Sequence, residues 1–434
     1  MRARETALLT LIACRRQGAW SEAALRAKIA AGGLDQREAA LASRLCYGVL
    51  QNRILMDFYL NAFLTGSWSR LQPVTEDILR LGAYQLTKMD KIPVSAAVNE
   101  SVELAKKYAN PAAARLVNAV LRAMARAPEL PEPPTDGIRY SHPEPLVQLL
   151  RSAVPEQELP QLLAADNEIP RSCVQINPLR TTCEKELAEL QALGAQVEPH
   201  PWLPDCFYLS GAGAIDRLDA FREGRIYVQD AAAHLAALAA GLEPGMQVLD
   251  CCAAPGGKSF AAAMQMQNCG TVYSCDIHSH KIKLIEAGAA RLGLSVIQAG
   301  VRNAAEVFPD WRGAMDAVIA DVPCSGLGVI RKKPDIRYKD LAPLARLPEV
   351  QLGILRAQAE HVRAGGVLVY STCTILPREN EAVVRAFLQQ RLDFSLEPVP
   401  TPRGLELPNG GYVTLYPHLH GTDGFFICRM RKQR

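Results

Sequence analysis

The sequence contains no long hydrophobic run. Its 434 residues are 49% hydrophobic and 21% charged, and no segment approaches the roughly 18 consecutive apolar residues of a membrane-spanning helix. The apolar residues before Cys14 imitate a lipoprotein cleavage site, but the helical spacing of Ala7, Leu8, Leu11 and Ile12 favours a first amphipathic helix. A globular protein without a membrane span is therefore predicted. Because one core stops growing near roughly 250 to 300 residues, two or three domains are expected.

The cysteines form no recognisable motif. Twelve are scattered through the chain without a Cys-x-x-Cys pair. A disulfide framework is therefore disfavoured, and reduced thiols in a cytoplasm are expected. Cys269, Cys275, His278 and His280 lie close together in sequence, but their spacing matches no structural zinc site, so no metal is predicted.

A strong overall charge is also absent, but the charge is unevenly distributed. The net charge is +3, whereas residues 1–128 hold 18 Lys or Arg against 10 Asp or Glu, an excess of +8 that leaves −5 for the remainder. A basic N-terminal region favours contacts with the phosphates of a polyanion, although solvated helix surfaces give similar counts.

The first 128 residues have the periodicity of helices. Ala-rich and Leu-rich segments are interrupted near Gly32–Gly33, Gly66 and Pro93, which predicts an all-helical domain over 1–128. Four of its segments resemble the NusB-type RNA-binding domain: Tyr47–Leu50, Leu79–Leu86, Ala96–Glu100 and Val117–Arg122. The resemblance implies that this domain binds RNA.

Two further domains are predicted after a connector. Several prolines and Gly137 predict a stiff linker over 129–139. Residues 140–224 contain strand-like Ser172–Asn177 and Cys206–Leu209 around helical Cys183–Leu193, which predicts a small α+β domain. Beside a domain that resembles an RNA-binding one, it is expected to take part in RNA recognition. Residues 225–434 are expected to form the third domain.

In this third domain apolar strands alternate with helices, the pattern of a Rossmann-like, doubly wound parallel α/β sheet. The predicted strands are Gln247–Leu249, Thr271–Cys275, Val296–Gln298, Ala317–Ala320 and Val367–Tyr370. Ligands of such sheets bind beyond the carboxyl ends of the strands. The residues that follow the strands are therefore the candidate site.

The first of these strands leads into a turn of small residues, which lets a ligand approach the backbone: Cys252, Ala253, Ala254, Pro255, Gly256, Gly257 and Lys258. A P-loop is excluded, because that motif needs a glycine six residues before the lysine and Cys252 stands there. Asp276 ends the second strand, 19 residues after Gly257. A carboxylate there can bind the ribose hydroxyls of a nucleoside cofactor, although an acidic residue at a strand end often only caps a helix.

Two cysteines follow the fourth and fifth strands. Cys324 comes after Asp321-Val322-Pro323, and Cys373 comes after Tyr370-Ser371-Thr372. Neighbouring strands lie about 4.8 Å apart, so both thiols should flank one cleft. One such cysteine would more often be a small core residue, but two at matching strand ends favour a chemical role.

Together these motifs resemble the NOP/Sun family of RNA cytosine-5 methyltransferases, above all its bacterial members that act on small-subunit ribosomal RNA. The similarity spans nearly the whole chain. It rests on the elements Cys252–Lys258, Pro323–Cys324, Thr372–Cys373 and the ending Gly421–Phe426. The helical first domain followed by Arg171–Thr182 favours the 16S rRNA enzymes over other members.

The resemblance implies a class I fold that binds S-adenosyl-L-methionine through Cys252–Lys258, Asp276 and Asp321. The substrate would be an unpaired or flipped-out cytosine of 16S rRNA, methylated at C5. Cys373 would add to C6 as the nucleophile, because C5 is otherwise too electron-poor to accept the methyl group. Cys324 would assist release, and Asp321 would also hydrogen-bond the base. A monomeric cytoplasmic enzyme is expected.

Some features leave alternatives open. Where this family usually has an aspartate after the third strand, the chain reads Ala299–Asn303, so the Gly300 backbone or the Asn303 side chain would have to replace it. The rival functions are methylation of 23S rRNA or tRNA, and a non-catalytic RNA-binding assembly factor.

Two charged segments lie near the thiols in sequence. Arg331–Arg337 is a basic loop for which an RNA phosphate contact is expected, with an ordinary solvated charge run as the alternative. Glu379–Glu381 is expected to open the helix that follows Cys373.

Overall fold

The structure is a computed structural model that describes residues 2–17, 19–408 and 410–433. The chain forms two compact units. The first comprises the residues up to Glu168 together with Lys332–Lys339, and the second comprises Ile169–Arg331 and the chain from Asp340 onward. None of the described helices is long and apolar enough to cross a membrane.

The first unit is helical, as the sequence predicts. Local signals set the helix ends: the side chain of Asn110 accepts a hydrogen bond from the Ala113 N–H, and Pro111 occupies the first helical position that follows. The helices are α1 (Ala3–Gln17), α2 (Ser21–Gly32), α3 (Gln36–Gln51), α4 (Arg53–Phe63), α5 (Pro73–Lys88), α6 (Val94–Tyr108), α7 (Pro111–Arg126), α8 (Asp136–Arg139), α9 (Glu144–Leu150) and α10 (Leu159–Ala165).

The helix α5 is buried along most of its length. Its central cation, Arg80, forms ion pairs with two carboxylates. Arg80 Nε lies 2.6 Å from Asp57 Oδ1 and Arg80 Nη1 lies 3.0 Å from Asp77 Oδ1, so the charge of Arg80 is balanced inside the unit. The helix α3 packs closely against α5 at Gly48, where a Cβ atom would lie 2.0 Å from the Tyr84 ring. Only glycine permits this approach.

The compact units do not end at the predicted domain boundaries. The helix α8 begins inside the predicted linker 129–139, and residues 140–168 pack with the helices that precede them. The boundaries at residues 128, 139 and 224 stay predictions.

The segment Lys332–Lys339 completes the first unit from a distant part of the sequence. Its Arg337 is only 1% exposed. The Arg337 guanidinium donates hydrogen bonds to the carbonyl oxygens of Gln51 at 2.8 Å, Tyr140 at 3.2 Å and Asp166 at 2.7 Å. One side chain therefore joins three separate stretches of backbone.

This packing limits which residues of the predicted basic loop could contact RNA, and the RNA contact itself stays a prediction. Arg337 is buried among carbonyl oxygens, and Arg331 is buried beside the Gly421 carbonyl oxygen, to which it donates at 3.2 Å. Neither guanidinium is available to a phosphate. In this loop Lys333 is exposed.

The second unit begins with a small antiparallel sheet of order β2-β3-β1-β4. Its elements are β1 (Ser172–Ile176), α11 (Cys183–Ala192), β2 (Gln196–Pro199), β3 (Cys206–Ser210), α12 (Asp219–Arg222) and β4 (Ile226–Val228). Side chains of this sheet, including Tyr208 and Tyr227, share a hydrophobic core with the helices that follow. The predicted α+β character of this part is confirmed.

The rest of the second unit is a sheet of order β10-β12-β9-β8-β5-β6-β7, with β11 paired to β12. Its elements are α13 (Ala231–Leu238), β5 (Gln247–Asp250), α14 (Gly257–Gln265), β6 (Thr271–Asp276), α15 (Ser279–Leu292), β7 (Ile297–Val301), β8 (Met315–Asp321), α16 (Leu347–Ala359), β9 (Val362–Thr372), α17 (Glu381–Leu388), β10 (Phe394–Leu396), β11 (Tyr412–Leu415), α18 (Pro417–His420) and β12 (Phe425–Lys432).

The five predicted strands correspond to β5 through β9, which run parallel. The sheet is nevertheless mixed rather than wholly parallel, because β12 pairs antiparallel with β9 and carries β10 and β11. The basic residues of β12 obscure its strand pattern in the sequence. One of them, Arg429, is buried against Glu397, with Nε and Oε2 3.0 Å apart.

Replacing Arg337 tests the role of the inserted segment. Arg337→Met should lower the free energy of unfolding of the helical unit by about 3 kcal/mol, because several buried carbonyl oxygens would lose their donor. Chemical denaturation of the full chain, followed by circular dichroism and by hydrogen exchange in α3 and α10, measures this. Lys333→Met, at an exposed position of the same segment, is the control. Equal stability of the two variants would contradict the assignment.

Candidate active site

The candidate site lies where the parallel strands end. β8 and β9 are neighbours, as expected, with Asp321 opposite Ser371 in the register. Cys324 and Cys373 follow these two strands, and their sulfur atoms are 3.2 Å apart. The structure therefore brings together two thiols that are 49 positions apart in the sequence.

The Cys324 thiol is held in its neutral form. Its hydrogen bond with Cys373 and its burial raise the pKa of Cys324 well above the usual value, and the carboxylates of Glu379 and Asp321 add to this effect. A protonated Cys324 can donate its S–H to the Cys373 sulfur. This arrangement disfavours negative charge on Cys324.

Asp321 is joined to the turn after β5 by an ion pair. Its Oδ2 lies 2.6 Å from Lys258 Nζ, and its Oδ1 accepts a hydrogen bond from Ser371 Oγ at 2.9 Å. Burial disfavours the charge of Lys258, but the Asp321 carboxylate outweighs burial and raises the pKa of Lys258. Cys373 contributes to this shift of Lys258 in the same direction.

The turn after β5 offers its backbone to a ligand. Gly256 has a φ angle of 114°, and a Cβ atom there would lie 2.4 Å from the Phe260 ring, so this position requires glycine. Pro255 is exposed, and Cys252 and Ala254 are partly exposed. Because α14 begins at Gly257, the turn lies at a helix N-terminus, where backbone N–H groups lack partners within the helix.

A buried hydrogen-bond chain supports this turn. Ser274 Oγ donates to Ser259 Oγ at 2.8 Å, and Ser259 Oγ donates to Asp250 Oδ2 at 2.7 Å. Burial raises the pKa of Asp250 to about 7, although the Ser259 hydrogen bond and the Lys258 charge oppose the shift. The last residue of β5 is therefore a carboxyl group that holds its proton unusually strongly.

Asp276 ends β6 beside the turn. Since Ser274 is opposite Asp250, Asp276 extends beyond the end of β5. Its Oδ1 accepts a hydrogen bond from the His278 N–H at 2.9 Å, and its Oδ2 is 3.6 Å from Lys281 Nζ. The carboxylate thus caps the turn before α15, and its remaining lone pairs can still accept ribose hydroxyls.

The structure around the end of β7 bears on which group could replace the absent aspartate, the Gly300 backbone or the Asn303 side chain. The Asn303 side chain is engaged locally: it donates to Glu306 Oε1 at 2.9 Å and accepts from the Ala305 N–H at 3.1 Å. Among the described residues other than its own chain neighbours, no heavy atom lies within 4 Å of the position that a Cβ on Gly300 would occupy. The open backbone at Gly300 is the better candidate for a ligand contact.

Two polar residues beside the thiols are not recognised from the sequence. As predicted, Glu379–Glu381 leads into the helix after Cys373, because α17 begins at Glu381 with Asn380 as its N-cap residue. The side chains of Glu379 and Asn380 are in addition fully buried. Glu379 Oε2 accepts a hydrogen bond from the Ser325 N–H at 2.9 Å. Asn380 Nδ2 donates to the Thr374 carbonyl oxygen at 3.0 Å. Their position shortly after Cys373 is the only signal of this role in the sequence.

The backbone after Cys324 crosses two other segments at close range. The Gly328 N–H donates to the Cys373 carbonyl oxygen at 3.0 Å, and the Gly424 N–H donates to the Gly328 carbonyl oxygen at 2.8 Å. A Cβ on Gly328 would lie 1.9 Å from the Gly424 carbonyl oxygen. The ending Gly421–Phe426, noted in the sequence, therefore helps to position the backbone of Cys373.

Within the ranges that the structure describes, no three or more His, Cys, Asp or Glu side chains form a group that could hold a metal ion.

Three sequence families match the chain. Residues 237–431 match the family described as 16S rRNA methyltransferase RsmB/F, residues 1–126 match the NusB family, and residues 142–216 match a ferredoxin-like domain of RsmF/B-like methyltransferases. The matches agree with the predicted order of a NusB-like helical domain, a small α+β domain and a Rossmann-like methyltransferase domain.

Relatives of full length are also similar. The probable ribosomal RNA small subunit methyltransferase B of Bacillus subtilis (strain 168) is 38% identical, with 99% of this chain and 98% of the relative covered. The protein of the same name from Synechocystis is 34% identical, with 99% of each chain covered.

Solved structures show the same fold. The crystal structure of PH0851 matches with a TM-score of 0.82 at 24% identity over 98% of both chains. NSun6 from Pyrococcus horikoshii, crystallised with SFG, matches with a TM-score of 0.59 at 21% identity over 67% of this chain and 98% of that one.

The buried carboxyl group of Asp250 predicts an unusual pH dependence. Its folded-state pKa of about 7 lies above the unfolded value, so the unfolded state loses the proton first as pH rises. Asp250 therefore costs stability progressively between about pH 4 and pH 7, by at most about 4 kcal/mol. Asp250→Asn should exceed the wild type in free energy of unfolding by a margin that grows over this range.

Urea denaturation at several pH values between 4 and 8 measures that margin. Asp310→Asn, at an exposed position, is the control and should show no comparable growth. A pH-independent margin for Asp250→Asn would show that this carboxyl group titrates normally.

Proposed function

The chain belongs to the RsmB/F family of 16S rRNA methyltransferases, and we propose that it transfers a methyl group from S-adenosyl-L-methionine to C5 of a cytosine in 16S rRNA. The observation that carries this proposal is the pair of sulfur atoms, 3.2 Å apart, beyond two neighbouring strand ends. A C5 methyltransfer to cytosine needs a nucleophile at C6, and a second group that completes the reaction. The two thiols supply both.

The turn after β5 fits a nucleoside cofactor. Its small residues leave the backbone accessible at the start of α14, and Asp276 stands at the adjacent strand end. Residues Cys252–Lys258 and Asp276 would hold S-adenosyl-L-methionine, with Asp321 close by through its ion pair with Lys258. The cofactor supplies an electrophilic methyl group.

Cys373 acts as the nucleophile. Its sulfur forms a bond to C6 of cytosine, and the electrons of the C5–C6 double bond make C5 nucleophilic. The Cys324 S–H can donate a hydrogen bond to the Cys373 sulfur. Asp321 hydrogen-bonds the polar edge of the base, because its carboxylate retains unused lone pairs.

Cys324 serves the release step. After C5 has gained its methyl group, a water molecule takes up the C5 proton, and the electrons of the C5–H bond restore the double bond and expel the Cys373 sulfur as a thiolate. Cys324 is kept protonated beside Cys373, so it can donate a hydrogen bond to the departing thiolate. Without this assistance the enzyme would stay attached to its product.

The RNA must present an accessible base. A cytosine stacked in a duplex cannot reach thiols at the end of a sheet, so the target is unpaired or flipped out. The basic first 128 residues and their match to the NusB family support a role of this region in RNA binding. We expect a monomer that works in the cytoplasm, where ribosomal RNA is modified.

One assay tests substrate and mechanism together. Unmodified small-subunit rRNA is incubated with labelled S-adenosyl-L-methionine and with the wild type, Cys373→Ala or Cys324→Ala. The wild type should form 5-methylcytosine, and both variants should lose turnover. Only Cys324→Ala should accumulate protein covalently bound to RNA, detected on denaturing gels.

Cys269→Ala, which removes an exposed thiol outside the site, is the control and should behave as the wild type. Labelling of 23S rRNA or tRNA instead would identify the substrate as one of these RNAs. Binding of RNA without labelling of any RNA would support a non-catalytic assembly factor. Full activity of Cys373→Ala would exclude the covalent mechanism.

A further inference from the structure

The two thiols are held in place by a pair of adjacent buried residues, Glu379 and Asn380. Both side chains are 0% exposed, although neither belongs to a helix or a strand. A buried carboxylate and a buried amide lower stability unless their hydrogen bonds are made. The hydrogen-bond partners of Glu379 and Asn380 therefore indicate the structural role of each residue.

Glu379 fixes the backbone around Cys324. Its Oε2 accepts hydrogen bonds from the Ser325 N–H and from Gln351 Nε2, both at 2.9 Å. Gln351 Nε2 also donates to the Pro323 carbonyl oxygen at 3.0 Å. The residues on each side of Cys324 are thus tied to one carboxylate, directly or through one amide.

Asn380 fixes the backbone around Cys373 in a corresponding way. Its Oδ1 accepts a hydrogen bond from Thr372 Oγ1 at 2.6 Å, and its Nδ2 donates to the Thr374 carbonyl oxygen at 3.0 Å. The residues on each side of Cys373 are thus tied to one amide. Ser325 Oγ donates to Thr374 Oγ1 at 2.8 Å and links the two turns.

The Glu379 backbone is itself anchored. Tyr370, a fully buried residue of β9, donates its hydroxyl hydrogen to the Glu379 carbonyl oxygen at 2.6 Å. The strand β9, which leads to Cys373, therefore also positions the Glu379-Asn380 dipeptide, whose side chains bind the backbone on each side of both thiols. This closed set of bonds fixes one sulfur relative to the other.

We propose that Glu379 and Asn380 are positioning residues, Glu379 for the release thiol Cys324 and Asn380 for the nucleophile Cys373. This inference rests on the proposed function, which assigns the two thiols different steps. Loss of Glu379 should therefore impair release while attack continues, whereas loss of Asn380 should impair attack. A general loss of stability would lower both steps together.

The test compares the first turnover with the fraction of protein covalently bound to RNA. With Glu379→Ala, steady-state turnover should fall about tenfold or more, while the first methyl transfer stays within about threefold of the wild type. Covalent protein–RNA adduct should accumulate, as with Cys324→Ala. Asn380→Ala should slow adduct formation about tenfold without accumulation.

Matched controls remove buried partners elsewhere in the same unit. Glu186→Ala removes a fully buried carboxylate 3.3 Å from Arg225, and Asn177→Ala removes a fully buried amide that donates to the carbonyl oxygens of Gly224 and Leu292. Both should lower the melting temperature while the adduct fraction stays at the wild-type level.

Glu379→Gln keeps one acceptor oxygen and should give an adduct fraction between the wild type and Glu379→Ala. If Glu379→Ala does not fold, this variant carries the test.

A double variant provides the decisive comparison. In the Cys324→Ala background, Glu379→Ala should raise the adduct fraction no further, because its effect acts through Cys324. An additive effect would overturn the positioning role, and so would wild-type adduct levels in Glu379→Ala and Glu379→Gln. Failure of Cys324→Ala alone to trap an adduct would instead overturn the covalent mechanism, and the positioning role with it.

Discussion

The parallel pairing of β8 with β9 is the constraint on which the candidate site depends. Asp321 is opposite Ser371, so each strand delivers its following residues to the same edge of the sheet. Side chains alternate between the faces of a strand, and a slip of one residue would move each side chain to the opposite face. The buried residues of both strands oppose such a slip, since they are packed on both faces of the sheet. Thus the hydrophobic core sets the register that brings the two sulfur atoms to the same edge of the sheet.

Electrostatics then gives these two sulfurs different properties. Cys324 has carboxylates nearby and a raised pKa, whereas Cys373 lies near the Lys258 cation. The same cation forms an ion pair with Asp321 and so joins the end of β8 to the turn after β5. In a protein interior of low polarity the Lys258–Asp321 ion pair and the charges near the two thiols interact strongly. The electrostatic effect of each group therefore depends on the positions of the others. A substitution at Lys258 would therefore affect groups on two strands at once.

The sequence was sufficient to predict the parts of this site that local pattern controls. Strand ends, the glycine turn and the positions of Cys324 and Cys373 follow from short segments, and five strands lie close to where the alternation of apolar residues predicts them. Arg337 shows why other parts could not be predicted. Nothing in a run of basic residues distinguishes a cation that faces water from one that is buried among carbonyl oxygens of distant segments. Glu379 is similar, because its partners Ser325 and Gln351 are far away in sequence.

The packing of Lys332–Lys339 within the helical unit has a consequence for how the protein is made. The carbonyl oxygens of Gln51, Tyr140 and Asp166 emerge from the ribosome long before Arg337 does. During synthesis the helical unit cannot be completed before Lys332–Lys339 has been translated. By then β5 through β8 of the second unit have also been translated. A fragment that stops at Glu168 lacks that piece altogether. The N-terminal part of the chain therefore reaches its final form late, and its maturation is tied by translation to the synthesis of β5 through β8.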